Sequence, residues 1–159
     1  MSLFGLRRHP HNQPRRVLIL EDDIELSMVI ERILKSIDSR IILDWATSAE
    51  FALEQLKGSA SIHYSAPYDL IVADIFLDGK STGIDFWRIC NDSYPDIPII
   101  ITSALGLDRF FSTIGHEAIS PPYLQKPFTS GECRQAFKYL LCDQPKRKST
   151  SAPADFDAY

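Results

Sequence analysis

Leu70, Ile71, Val72 and Ala73 form an unbroken apolar run that ends on an acid, Asp74, and turn residues such as Asp78 and Gly79 soon follow. A short run rich in β-branched residues and bounded by turn signals reads as a strand covered on both faces. Strands covered on both faces belong to parallel sheets, and parallel neighbours need crossover connections, usually helices. This one stretch therefore commits the chain to an α/β architecture. A carboxylate at the C-terminal end of such a strand sits where open α/β sheets place their chemistry.

The rest of the chain supplies the partners. Val17–Leu20 reads as β1 and ends in Glu21-Asp22-Asp23. Leu26, Val29, Ile30, Ile33, Leu34 and Ile37 then recur at helical spacing, predicting α1 from about Asp23, whose acids suit the positive end of the helix dipole. Ile41–Ala46 reads as β2. Thr47 to Glu50 fits a capping box for α2, with Ala49, Ala52, Leu53 and Leu56 on one face. Residues 57–67 read as a polar linker longer than usual, with His63 on its surface. The opening run is β3. α3 spans roughly Ile84–Asn91, with Phe86, Ile89 and Cys90 inward. Ile99–Thr102 is β4, ending in Ser103-Ala104. Leu107, Phe110, Phe111, Ile114 and Ala118 mark α4; Phe110 and Phe111 are adjacent and cannot both face the core. Tyr123–Gln125 is β5. Ser130 is the expected cap of α5, whose apolar side is Cys133, Ala136, Phe137, Leu140 and Leu141. Strands alternate with helices throughout, which predicts a doubly wound parallel sheet with helices on both faces.

The organisation expected is a flexible arm over residues 1–15, one folded domain over 16–142 and a disordered tail over 143–159. The arm holds Pro10, Pro14 and three arginines without periodicity; the tail is Pro/Ser/Lys-rich and then acidic. A His9/His11 metal pair is discounted because no third ligand type is near. With a net charge of -4 the chain has no general pull toward nucleic acid or acidic membranes. No apolar run is long enough to cross a bilayer. Cys90, Cys133 and Cys142 are odd in number and widely spaced, which suggests small core residues in a reducing, cytoplasmic setting. Trp45 and Trp87 read as packing residues.

Polar groups stand at four strand ends: Glu21 and Asp22 after β1, Asp74 after β3, Ser103 after β4 and Lys126 after β5. In a parallel sheet these ends share one edge. Carboxylates from neighbouring strands repel unless neutralised. Mg²⁺, a hard cation, does this with oxygen ligands and keeps waters for a phosphoryl group. A hydroxyl and an ammonium beside it donate to phosphoryl oxygens. The set reads as a phosphoryl-transfer site with a carboxylate nucleophile. Taken singly, each residue has a plainer reading. Asp23 caps α1, Ser103 starts a turn, Lys126 is a solvated strand end and Tyr123 is a half-buried tyrosine.

With VLILEDD at β1, DLIVADIFLDG at β3, IPIIITSAL at β4 and YLQKPF at β5, the chain resembles the receiver domain of two-component response regulators, the chemotaxis-type fold, from about Arg16 to Cys142. The resemblance implies a flavodoxin-like five-stranded sheet of order 2-1-3-4-5. It implies that Asp74 is the phosphoacceptor. Asp22, Asp74 and the main-chain carbonyl of Phe76 would bind Mg²⁺, with Glu21 acting through water. Ser103 and Lys126 would hold the phosphoryl group and Tyr123 would be the switch aromatic. The implied partners are a sensor histidine kinase or histidine phosphotransfer protein and an unknown downstream protein. The downstream protein would meet the α4-β5-α5 face, through which a homodimer could also form. Such a domain is a signalling phosphoacceptor, catalysing only its own phosphorylation and dephosphorylation.

Three departures bear on that picture. Asp78 stands where the family often has proline, and the loop runs one residue longer before Gly83. Pro121-Pro122 replace small, flexible residues and stiffen the approach to Tyr123. Phe76 and Leu105 flank the phosphoryl position, and neither orients water, so slow self-hydrolysis is expected. The rival readings are a fragment of a larger hybrid kinase or transcription factor, a phosphorylation-independent pseudo-receiver, and an aspartyl-phosphate hydrolase. The hydrolase ranks low because Ile75 and Phe76 offer no second acid.

Overall fold

A computed structural model describes residues 13–60, 66–115 and 119–143. The expectations for residues 1–12 and 144–159, and for His9, His11, His63 and Ala118, lie outside the described residues.

Five parallel strands, β1 (Arg16–Leu20), β2 (Ile42–Ala46), β3 (Leu70–Asp74), β4 (Ile99–Ser103) and β5 (Tyr123–Gln125), form one sheet in the order β2-β1-β3-β4-β5. Helices α1 (Ile24–Ile37), α2 (Ala49–Ala60), α3 (Gly83–Ser93), α4 (Leu107–Ile114) and α5 (Ser130–Lys138) alternate with them, and one π-helical turn (Tyr139–Asp143) closes the described chain. The doubly wound sheet expected from the sequence is thus present. Every residue of β3 and β4 is buried, as apolar runs covered on both faces should be. Alternation along the strands divides the core. Leu18, Leu20, Ile71, Ala73, Ile99 and Ile101 face α2, α3 and α4; Val17, Ile19, Leu70, Val72 and Ile100 face α1 and α5.

Several local expectations need correction. α2 continues through Gly58 to Ala60, past the predicted linker start at Lys57. Space around Gly58 is open, so this glycine costs the helix propensity without ending it. Thr47 does not begin a capping box: Ser48 Oγ accepts from the Phe51 amide instead, and Glu50 turns elsewhere. The α5 cap is Thr129 rather than Ser130, in a reciprocal box with Glu132. Ile89 and Val29 are partly exposed, and Trp87 takes the inward place on α3. Trp45 is 45% exposed on the edge strand β2, so it is not the packing residue expected. Cys90 and Cys133 are core residues, whereas Cys142 is exposed and its Sγ accepts from Arg15. Asp23 caps α1 as expected, accepting from the Leu26 amide. Of the α4 pair, Phe110 is buried and Phe111 is exposed.

Candidate functional site

Register assembles the site. Leu20 pairs with Ala73, so Glu21 and Asp74 emerge side by side, one residue later, from β1 and β3. Asp74 pairs with Thr102 and Ser103 with Gln125, so each strand toward β5 places its polar residue one step further along. Lys126, next after β5, donates its amide to the Ser103 carbonyl at 2.7 Å and turns its side chain back over the edge.

The ammonium of Lys126 lies 2.8 Å from Glu21 Oε2 and 2.8 Å from Asp74 Oδ2. Both acids are buried, at 4% and 7% exposure, so their charges are only partly screened by water. Burial pushes the Glu21 carboxyl above its usual range; hydrogen bonds from Lys126 and from the Asp23 amide only partly offset this. Burial alone would lower the Lys126 ammonium, but its hydrogen bonds and charge attraction to Asp74 and Glu21 outweigh that and raise it. The ammonium therefore holds two acids that would otherwise repel.

Asp22, which is exposed, completes an oxygen cluster: Glu21, Asp22 and Asp74 each bring a carboxylate oxygen within 4.8 Å of the others. Three carboxylates against one ammonium leave excess negative charge. An all-oxygen donor set of this kind fits a hard divalent cation that keeps some of its waters. The residues present therefore suit Mg²⁺.

The β3–α3 loop begins at Ile75. The Phe76 amide donates to Asp74 Oδ1 at 3.3 Å, and Phe76 is 57% exposed. The loop returns tightly. Gly83 donates its amide to Ile75 O at 2.9 Å, and a Cβ at Gly83 would stand 1.9 Å from the Asp74 carbonyl oxygen. Only glycine fits there, because the start of α3 is pressed against the backbone of the nucleophile candidate.

The remaining predicted residues sit next to the cluster rather than in it. Ser103 is fully buried, and its Oγ accepts from the Leu105 amide at 3.3 Å. Tyr123 lies on the α4 side of the sheet. Its ring stacks on Phe110, with centroids 3.9 Å apart and planes 17° from parallel. Its hydroxyl donates to the carbonyl of Ser103 at 3.0 Å and to that of Leu105.

Sequence reasoning gave Glu50 only a place in a capping box. Its carboxylate reaches from the first turn of α2 to the loop, accepting from the Ser81 amide at 3.0 Å and the Lys80 amide at 3.3 Å. Hydrogen bonds from its own amide and from Ser81 hold it below the usual carboxylate range. No local signal could have revealed this contact, since it spans 31 residues. The cis bond between Lys126 and Pro127 was also unforeseen.

Residues 17–138 match the family described as the response regulator receiver domain. Response regulator RppA of Synechocystis is 27% identical over 131 residues, covering 82% of this chain and 52% of that protein. The transcriptional regulatory protein CitT of Bacillus subtilis is 28% identical over 132 residues, covering 83% and 53%. The chain thus spans about half the length of these curated relatives. Among solved structures, the phosphorylated cyanobacterial phytochrome response regulator RcpA superposes with a TM-score of 0.68 at 14% identity, covering 86% of this chain and 100% of that one. The BeF3-activated receiver domain of DrrB gives 0.64 at 18% identity, covering 81% and 98%. Both show a shared fold. No helix among the described residues is long and apolar enough to cross a membrane.

Proposed function

The chain belongs to the response regulator receiver family, and from that premise we propose that it is a phosphoacceptor of a two-component or phosphorelay system, with Asp74 as the acceptor. One observation carries the residue assignment: a lysine ammonium bridges two buried acids from different strands at the C-terminal edge of the sheet. A buried ion pair of this kind adds little net stability, which favours a chemical reason for keeping it.

In the proposed reaction a partner histidine kinase or phosphotransfer protein presents phosphohistidine. A carboxylate oxygen of Asp74 attacks phosphorus in line. The P–O bond forms as the P–N bond breaks, and the electron pair leaves on the imidazole. Lys126 and Ser103 donate to the transferred phosphoryl oxygens and hold the acyl phosphate. Mg²⁺, when held by Asp22, Asp74 and the Phe76 carbonyl with Glu21 through water, supplies positive charge against the phosphoryl oxygens. Phe76 and Leu105 carry no group that orients water, so the acyl phosphate turns over slowly.

The folded unit is residues 16–142, flanked by the arm and the tail, in a cytoplasmic protein. Output passes through the α4-β5-α5 face by protein contact, and the exposed Leu107 and Phe111 on α4 support that route. Added phosphate charge shifts a pre-existing equilibrium of that face, with Tyr123 as the moving aromatic.

The test is phosphorylation by a small acyl-phosphate donor with Mg²⁺, read by intact mass and by phosphotransfer from candidate kinases. Wild type gains one phosphoryl group and Asp74→Asn gains none. Labelling that persists in Asp74→Asn would sink the assignment.

A further inference from the structure

The β3–α3 loop has two fastenings. The inner one is the Gly83-to-Ile75 hydrogen bond beside Asp74. The outer one lies on the far side of the loop, at the junction of β2 and α2. There Ser48 and Asp78 form an isolated parallel bridge, and Glu50 accepts from the amides of Lys80 and Ser81. Between these contacts Gly79 takes φ +97°, a conformation that L side chains rarely adopt. A Cβ there would also stand 2.6 Å from Glu50 Oε2. The carboxylate thus occupies the space that a side chain at residue 79 would need. This is also the stretch that runs longer than the family pattern and carries Asp78 where proline is usual.

We infer that Glu50 is a positioning residue for the phosphorylation site, acting through the loop that carries Phe76. The inference rests on the reading of Asp74 as phosphoacceptor and of the Phe76 carbonyl as a cation ligand. A longer loop has more conformations to lose when it holds a ligand group in place. Glu50 removes that freedom beforehand. Its two oxygens face two successive loop amides and a glycine, and its own backbone is fixed by the helix. Preorganisation of this kind raises affinity by lowering the ordering cost at binding.

The plainer role for Glu50 is a charge at the positive end of α2. Glutamine separates the two roles, because it keeps an acceptor oxygen and drops the charge. Backbone amide exchange is followed by NMR in the metal-free chain for wild type, Glu50→Ala and Glu50→Gln. Mg²⁺ affinity is then measured by calorimetry, and the rate of phosphorylation by a small acyl-phosphate donor by intact mass. Glu50→Ala should speed exchange at Lys80 and Ser81 by roughly fivefold, the loss of a typical hydrogen bond. It should weaken Mg²⁺ binding and slow phosphorylation severalfold, with the melting temperature almost unchanged because Glu50 is exposed. Glu50→Gln should recover most of each effect. The inference is overturned if Glu50→Ala leaves Mg²⁺ affinity at the wild-type value, or if Glu50→Gln behaves like alanine. Failure of the underlying reading is distinct: wild type itself would then take no label on Asp74.

Discussion

The strand-end edge and the tyrosine corner lie on neighbouring strands and are held together by different forces. At the edge, Lys126 bridges Glu21 and Asp74, and the interaction is between full charges in a partly dry setting. At the corner, Tyr123 stacks on the fully buried Phe110 and gives its hydroxyl to the carbonyls of Ser103 and Leu105. Those are neutral contacts. A new dianion or dication alters the first set directly, because each pairing there depends on charge. The two regions meet at the Ser103 carbonyl, which accepts from the Tyr123 hydroxyl and from the Lys126 amide. The edge is thus held by charge, and the corner by packing and neutral hydrogen bonds.

Two substitutions test that contrast. Phe110→Ala should cost the most, about 3–5 kcal/mol of unfolding free energy, the usual loss for a buried phenylalanine. Chemical denaturation measures it. The variant's gain in stability from added Mg²⁺ should match that of wild type, because no charged group has changed. Lys126→Met should cost less, about 1–3 kcal/mol. It strands two buried acids, but the Lys126 side chain is 19% exposed and water screens part of the loss. Its response to Mg²⁺ should be larger than wild type, since the cation then faces uncompensated carboxylates. Equal Mg²⁺ responses in the two variants would break the contrast.

The smallest effect sharpens the control. Glu132, in the α5 capping box, accepts from the amide and hydroxyl of Thr129, and these bonds hold it below its ordinary value of 4.5. A carboxyl depressed in the folded state binds its proton first in the unfolded state as pH falls. The stabilisation is present above that ordinary value and is lost as pH drops through the folded one. Thermal melts from pH 6 to pH 3 should therefore show a shallower acid loss in Glu132→Gln, with no change in the Mg²⁺ response. An unchanged acid slope would remove Glu132 from the account.

How far the residues alone could be read differs between elements. The runs Leu70–Asp74 and Ile99–Ser103 announced buried parallel strands, because a strand covered on both faces leaves no polar position to confuse the period. Asp23 announced its helix start, since a cap is a contact over three residues. Half-buried positions were harder. Trp45 is apolar yet sits on the edge strand, which has a strand neighbour on one side only. Thr47 and Ser48 compete for one cap within two residues, and Glu50 could satisfy either a cap or a loop.

The sequence by itself determined the strands, their polar ends and the residue types able to handle a phosphoryl group, because each follows from local period or side-chain chemistry. Only the tertiary structure decided what those groups touch. Register brings Lys126 across 52 residues to Asp74 and 105 to Glu21, and Glu50 across 31 to Ser81. The stack of Tyr123 on Phe110 is of the same kind. Contacts between distant segments depend on how two faces meet in space, and no neighbouring residue carries a record of that.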